Sequence, residues 1–186
     1  MSMTNPSQWA QIQFGKANLN DPRRIQRLVS LATSIAKNPG VAVSKLPLSP
    51  AEMEGAYRFI RNDNIPPCDI ASAGFMATAQ EASKHEILLA LEDTTSLTYQ
   101  HKSVRDELGH TNQGNRNRAI QAHSILLFAP KSQQIVGLIE QQRWTRDITK
   151  RGQRYQHASR PYKEKESYKW ELASTNMEIR LAESIN

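Results

Sequence analysis

The best candidate for chemistry in this chain is Asp93, which closes a short apolar run. The segment Glu86–Asp93 contains five consecutive apolar residues and ends in two acids. Such a run predicts a strand buried on both faces whose carboxyl end opens into a polar site. A carboxylate held by a rigid strand can coordinate a hard cation such as Mg²⁺. The sequence Asp93-Thr-Thr-Ser also forms turns well, because Asp accepts hydrogen bonds from nearby backbone N–H groups, so the local pattern leaves a metal ligand and a turn former open.

A stripe of basic residues lies on a predicted helix near the start of the chain. Asp21-Pro22 is a helix start, and Asn38-Pro39-Gly40 is a helix stop. Apolar residues recur between them at helical spacing, which predicts an amphipathic helix. The opposite face carries Arg23, Arg27, Ser30, Ser34 and Lys37, with Arg24 at its edge. This pattern predicts a cationic surface.

Two more helices are predicted after the first. Ser49-Pro-Ala-Glu52 has the spacing of a capping box, and it is followed by an apolar side with Arg58 and Arg61 near the other side. A further helix is predicted from Pro66-Pro67 towards Ser83. We therefore expect a helical domain over residues 1–83.

The pattern changes after Ser83. Two more strands are predicted at His123–Pro130 and Gln134–Glu140, separated by a hairpin-length polar connection, and a last helix is predicted over Glu164–Ser184. The sequence thus indicates an α+β protein, with a helical domain over 1–83 and a second domain over 84–186.

A second basic segment lies between Gln141 and Lys165. Eight basic residues face two acids there, a net charge of +6 that equals the formal charge of the whole chain. A loop of this composition suits phosphate contacts, and it is equally typical of a solvated connector. The shorter segment Asn112–Arg118 repeats the pattern.

Several classes of protein are disfavoured by composition. The single cysteine, Cys68, excludes a disulfide framework and a Cys-rich zinc module, and the five histidines lack zinc-ligand spacing. The apolar runs are too short to span a bilayer, and the first residues lack a signal pattern. No Gly-rich phosphate loop and no Gly-x-Ser-x-Gly elbow is present. A soluble intracellular protein is expected.

Six ordered motifs resemble a known family. They are Asp21-Pro-Arg-Arg24 with Arg27, Glu54-Gly-Ala-Tyr-Arg-Phe-Ile-Arg-Asn62, Glu92-Asp-Thr-Thr-Ser-Leu-Thr-Tyr99, His123-Ser-Ile-Leu-Leu127, Val136-Gly-Leu and Lys165-Glu-Ser-Tyr-Lys-Trp170. In this order they resemble the cut-and-paste DDE transposases of the Tn-five type, found in bacterial insertion sequences. The resemblance runs from about Trp9 to Leu181.

The resemblance implies a helical domain that binds transposon-end DNA, followed by a ribonuclease-H-like core with three acids that hold two Mg²⁺ ions for strand cleavage and transfer. The family's first catalytic and metal-binding Asp corresponds to Asp93. Its DNA-binding residues correspond to a basic set on the first two predicted helices: Arg23, Arg24, Arg27, Lys37, Arg58 and Arg61.

The sequence departs from the family after the last predicted helix. The second acid of the family lies on the strand after that helix and the third lies further on, whereas this chain stops at Asn186. Two-metal catalysis needs carboxylates on both ions, so a single Asp is insufficient. We therefore expect a truncated transposase with three core strands and a helix, which binds terminal repeats in double-stranded DNA without cutting them and binds Mg²⁺ weakly or not at all.

The alternatives are a non-catalytic regulator that blocks, or pairs with, a full-length transposase, and an inactive remnant. The family dimerises mainly through its C-terminal part, so a monomer is expected. The resemblance also implies a cytoplasmic, nucleoid-associated protein.

Overall fold

The structure is a computed structural model that describes residues 5–111, 118–150 and 159–185. The chain divides into two compact units, Met1–Lys84 and His85–Asn186. The first unit is helical and the second carries an antiparallel sheet with a helix, so the protein is α+β as expected. No described helix is both long and apolar enough to cross a bilayer.

The described residues of the first unit form four α-helices: α1 (Pro6–Phe14), α2 (Pro22–Lys37), α3 (Pro50–Ile60) and α4 (Pro67–Ala82). Each begins with proline in its first turn, where the missing N–H would have no partner in the helix. Asn5, Asp21 and Ser49 cap the first three helices with their side chains. The predicted capping box is present, because Ser49 and Glu52 exchange hydrogen bonds.

The core of the first unit lies between these helices. Leu28 and Leu31 of α2 pack with Phe59 of α3, and the linkers contribute Leu19 and Ile65. Helix α2 contacts α1 and α3, which fixes the orientation of its basic face within this unit.

The second unit contains β1 (Leu89–Tyr99), β2 (Gly109–His110), β3 (Arg118–Ala129), β4 (Gln134–Trp144) and α5 (Glu166–Ile185). Strand β3 pairs antiparallel with β1, β2 and β4. The two-residue strand β2 was not predicted. The β3–β4 connection is short, and Gln133 in it adopts a left-handed φ of 53°.

The two faces of the sheet differ in burial. On one face α5 packs, and Ile125 and Leu127 of β3 are at most 2% exposed. On the other face Leu89, Leu91 and Ile135 are 47–55% exposed. The sheet is therefore covered on the α5 side, and its opposite face presents apolar side chains.

The prediction that β1 is buried on both faces is wrong. Among the described strands β1 pairs only with β3, so it lies at an edge, and its residues are exposed or half-buried. The apolar run that suggested a central strand lies partly on the uncovered face.

The strand also does not end at Asp93. It continues to Tyr99, because residues 94–99 include three threonines and a tyrosine, which favour extended backbone, and all of them pair with β3. The turn suggested for Asp93-Thr-Thr-Ser is therefore absent, and Asp93 lies within the strand, opposite Ser124.

Candidate nucleic-acid interface

The exposed basic residues of α2 lie at its two ends. Arg23 follows the N-cap Asp21, whose carboxylate accepts the Arg23 backbone N–H at 2.8 Å. Lys37 is the last residue of the helix, and both side chains are exposed. Since a helix rises about 1.5 Å per residue, Arg23 and Lys37 stand about 21 Å apart and would reach separate phosphates.

Arg24 is held by the protein itself. Its Nη1 donates to the backbone carbonyl oxygens of Leu19 at 3.2 Å and Asn64 at 3.0 Å, and the residue is half-buried. These carbonyls belong to the segment before α2 and to the segment after α3. Arg24 therefore ties the two segments together, a structural role that the sequence did not indicate.

Arg27 lies against the backbone of α3. The position that a Cβ on Gly55 would occupy is 2.6 Å from Arg27 Cζ and 2.8 Å from both terminal nitrogens. The carboxylate of Glu52 is on the same helix, one turn earlier. Its pKa is lowered chiefly by the hydrogen bonds from Ser49, and the positive charge of Arg27 lowers it further.

Arg58 of α3 and Arg61, directly after α3, both contact residues of this helix. Arg58 Nε donates to Glu54 Oε1 at 2.8 Å, and the Arg58 side chain is still 79% exposed. The Arg61 guanidinium lies 5.2 Å from the centre of the Tyr57 ring. An exposed pair of this kind binds weakly, so both guanidinium groups can turn towards a phosphate.

Asp93 lies on the uncovered face of the sheet in the second unit. The pairing register places Ser124 beside it and Gln141 beyond Ser124. Thr95 Oγ1 is 3.5 Å from Asp93 Oδ2. Glu92 points to the opposite face, where Ser174 of α5 donates to it at 2.9 Å.

The neighbours of Asp93 do not fit a two-metal site. Along its row of the sheet they are hydroxyl and amide groups, and the adjacent acid faces away. Among residues 5–111, 118–150 and 159–185 no group of three or more His, Cys, Asp or Glu side chains could hold a metal ion. The described part of the chain thus brings one carboxylate to this position.

A comparison with protein families found a match within the first unit. Residues 6–65 match the family model for transposase DNA-binding domains. The matched segment covers α1 to α3 and contains all six basic residues predicted to contact DNA. The match supports a transposase that has DNA as a partner.

Within this transposase DNA-binding segment, sequence reasoning missed the part played by Gly55. The only available signal was a glycine in the middle of a capped helix, a position that glycine destabilises. The sequence could not show that the guanidinium of Arg27 lies over it, since that contact joins two helices.

The second unit holds a buried polar cluster that the sequence did not indicate. His123 is fully buried, its Nδ1 is 3.0 Å from Thr94 Oγ1, and its ring is 4.4 Å from the Trp170 ring. Its Nε2 is 3.7 Å from Glu92 Oε2. Nearby, Arg180 of α5 pairs with the buried Glu140 of β4. These contacts hold α5 on the sheet.

The basic segment 141–165 is described only in part. Residues 151–158 and the side chain of Lys150 lie outside the described residues, as do residues 112–117 of the shorter basic loop. Of the described basic residues, Arg146 forms a two-hydrogen-bond pair with Glu166 at the start of α5, at 2.6 and 2.7 Å. Arg146 thus links the segment after β4 to the start of α5, which favours a structural role for it.

Proposed function

We propose that the protein binds the terminal DNA of a transposon through the basic surface of α2 and α3. The observation that carries this proposal is the transposase DNA-binding match over residues 6–65, which contains eight basic and four acidic residues. Of its exposed cations, Arg23 and Lys37 lie on α2 and Arg58 lies on α3, and these two helices contact each other. A surface of this kind binds DNA chiefly through phosphates.

The predicted DNA-binding residues of α2 differ in their exposure and in their contacts within the protein. Arg23 and Lys37 are exposed at the ends of α2 and would contact phosphates or base edges directly. Arg27 is half-buried, its guanidinium lies against Gly55 of α3, and a planar donor of this kind suits bidentate contacts to guanine. Arg24 would support DNA binding indirectly, because its hydrogen bonds to the carbonyls of Leu19 and Asn64 connect the segments before α2 and after α3.

For the second unit we propose the amino-terminal part of a ribonuclease-H-like core of the Tn-five DDE type, with Asp93 as its first acid. An antiparallel β1–β3–β4 sheet with α5 on one face and Asp93 on β1 supports this. Because the described residues offer one carboxylate there, the protein is proposed to bind transposon ends without cutting them. Within the described residues, a Mg²⁺ ion at Asp93 would find one protein carboxylate.

Affinity for the element's terminal inverted repeat tests this function. We expect the protein to bind a labelled repeat more tightly than a scrambled duplex, and Arg23→Ala and Lys37→Ala each to weaken binding and reduce the salt slope by about one. Lys84→Ala is the matched control, since it removes one charge from a residue that pairs with Glu81 outside the matched segment. Equal weak affinity of all duplexes would indicate an inactive remnant.

A regulatory role is the second candidate, favoured by the basic surface of the first unit together with the single carboxylate that the described residues of the second unit bring to the position of Asp93. A protein that occupies transposon ends without cleaving them would compete with a full-length transposase. Adding the purified protein to a transposition reaction of a full-length relative should reduce product in proportion to end occupancy. Unchanged product at saturating occupancy would exclude this role.

A further inference from the structure

We propose that Gly55 is a positioning residue for DNA recognition. Because glycine has no side chain, the guanidinium of Arg27 can occupy the space where a Cβ would otherwise lie. The inference rests on the proposed function, since it assigns to Arg27 a contact with DNA. It adds a residue without charge or hydrogen-bonding side chain to the recognition surface.

A side chain at this position would overlap the guanidinium of Arg27. The central carbon Cζ and both terminal nitrogens of the Arg27 guanidinium lie 2.6–2.8 Å from the point that a Cβ on Gly55 would occupy. Carbon atoms in contact are normally about 3.5–4.0 Å apart. A methyl group would therefore displace the guanidinium, and the backbone of α3 would not have to move.

Gly55 is not explained by the backbone of α3. The residue lies in the middle of Pro50–Ile60, and it is not among the residues with positive φ. Glycine is a poorer helix former than alanine, so on local grounds alanine would be favoured there. The contact with Arg27 supplies the reason that the helix itself does not.

Glu52 adds an electrostatic attraction for the guanidinium of Arg27. It stands one helical turn before Gly55, so the two residues share a face of α3, and the charge of Arg27 contributes to its lowered pKa. Ser49 already donates its hydroxyl and backbone N–H to the same carboxylate. Glu52 is thereby fixed in place, and it attracts the guanidinium without forming a close ion pair with it.

A purely structural role of Arg27 makes a different prediction. If Arg27 served only to join α2 to α3, displacing it would lower the stability of the first unit. If it serves recognition, displacing it lowers DNA affinity while the helix gains from the better helix former. The two effects of one substitution therefore have opposite signs under our proposal.

The test is a double-mutant cycle on the full chain with Gly55→Ala, Arg27→Ala and the double variant. We expect Gly55→Ala to raise or preserve the thermal midpoint and to weaken binding to the terminal repeat roughly five- to fiftyfold. In the Arg27→Ala background, Gly55→Ala should change affinity less than about twofold, since its target is gone.

Gly74→Ala is the matched control. This glycine is also in the middle of a helix of the first unit, α4, but a Cβ there would lie 3.6 Å from Phe14, an ordinary contact. The control should show a similar stability gain and unchanged affinity.

Several results would overturn the proposal: wild-type affinity of Gly55→Ala, wild-type affinity of Arg27→Ala, or equal losses from Gly55→Ala in both backgrounds. Failure of the proposed function looks different, because wild-type protein would then bind the terminal repeat and a scrambled duplex equally. In that case the same cycle on scrambled DNA still decides whether Gly55 positions Arg27, and a protein that binds no DNA overturns both.

Discussion

At the scale of single residues, Arg23 and Arg24 are adjacent in sequence but differ in their partners. Arg24 bonds to the carbonyls of Leu19 and Asn64, whereas Arg23 is exposed. Arg24→Ala should therefore lower the free energy of unfolding by about 1–2 kcal/mol, because hydrogen bonds from a charged donor are lost. Arg23→Ala should change it by less than about 0.5 kcal/mol.

Urea unfolding of both variants, followed by the helical circular dichroism signal, measures this difference. Equal stability of the two variants would show that the Arg24 bonds contribute nothing. An Arg24→Ala protein that keeps wild-type stability and loses DNA affinity would place Arg24 in direct contact with DNA.

The pair of Arg146 with Glu166 gives a prediction about pH. Hydrogen bonds from Arg146 hold the pKa of Glu166 below its ordinary 4.5. A depressed folded-state pKa adds stability that is present above the unfolded value and is lost as the pH falls through the folded pKa. The side chain of Glu166 is 44% exposed, so solvent screening limits the effect to about 0.5–1 kcal/mol.

Glu166→Gln isolates this contribution. The variant should be less stable than the wild type at pH 7, and the difference should shrink steadily below about pH 4.5 because Gln does not titrate. Unfolding free energies of both proteins from pH 7 to pH 3 give the curve. A difference that is constant over this range would contradict the assignment to Glu166.

At the scale of elements, the two faces of the sheet differ in what a leucine contributes. Leu127 on the α5 side is 2% exposed, whereas Leu91 on the uncovered face is 49% exposed. Leu127→Ala should lower the free energy of unfolding by about 2–4 kcal/mol, because burial is lost and a cavity is left. Leu91→Ala should lower it by less than about 1 kcal/mol. Chemical unfolding of this matched pair tests the placement of α5, and similar costs would mean that both faces are covered.

Most elements of the fold could be predicted because their signals are local. Asp21-Pro22 and the Ser49–Glu52 capping box mark helix starts that the structure confirms. The extent of β1 could not be predicted, since Asp93-Thr-Thr-Ser suits either a turn or a strand, and pairing with β3 decides the matter. Local signals identify element starts, and partners in the sheet set their ends.

The candidate site was predictable only in part, for a similar reason. The cationic stripe on α2 follows from helical spacing, and the family match covers it. Two contacts join segments that are far apart in sequence: the hydrogen bond of Arg24 to the carbonyl of Asn64, and the packing of the Arg27 guanidinium against Gly55. Charge patterns show which residues can meet DNA, but tertiary contacts decide which of them are free to do so.

At the scale of the whole molecule, the proposed DNA-binding residues lie in the first unit, whereas Asp93, the one carboxylate that the described residues bring to its position, lies in the second. Purified protein with a labelled terminal repeat and Mg²⁺ should therefore give no nicked strand on a denaturing gel. Asp93→Ala should bind the repeat as tightly as the wild type, because Asp93 lies outside the matched segment. Nicking that disappears in Asp93→Ala would show that the protein assembles a complete metal site.

Specific binding of transposon ends by the matched segment can be measured in a competition titration. Unlabelled terminal repeat and a scrambled duplex of equal length compete for the protein on a labelled repeat at fixed salt. Specific recognition predicts that the repeat competes at a concentration at least about tenfold lower than the scrambled duplex. Competition by both duplexes at the same concentration would show that the protein does not recognise transposon ends specifically.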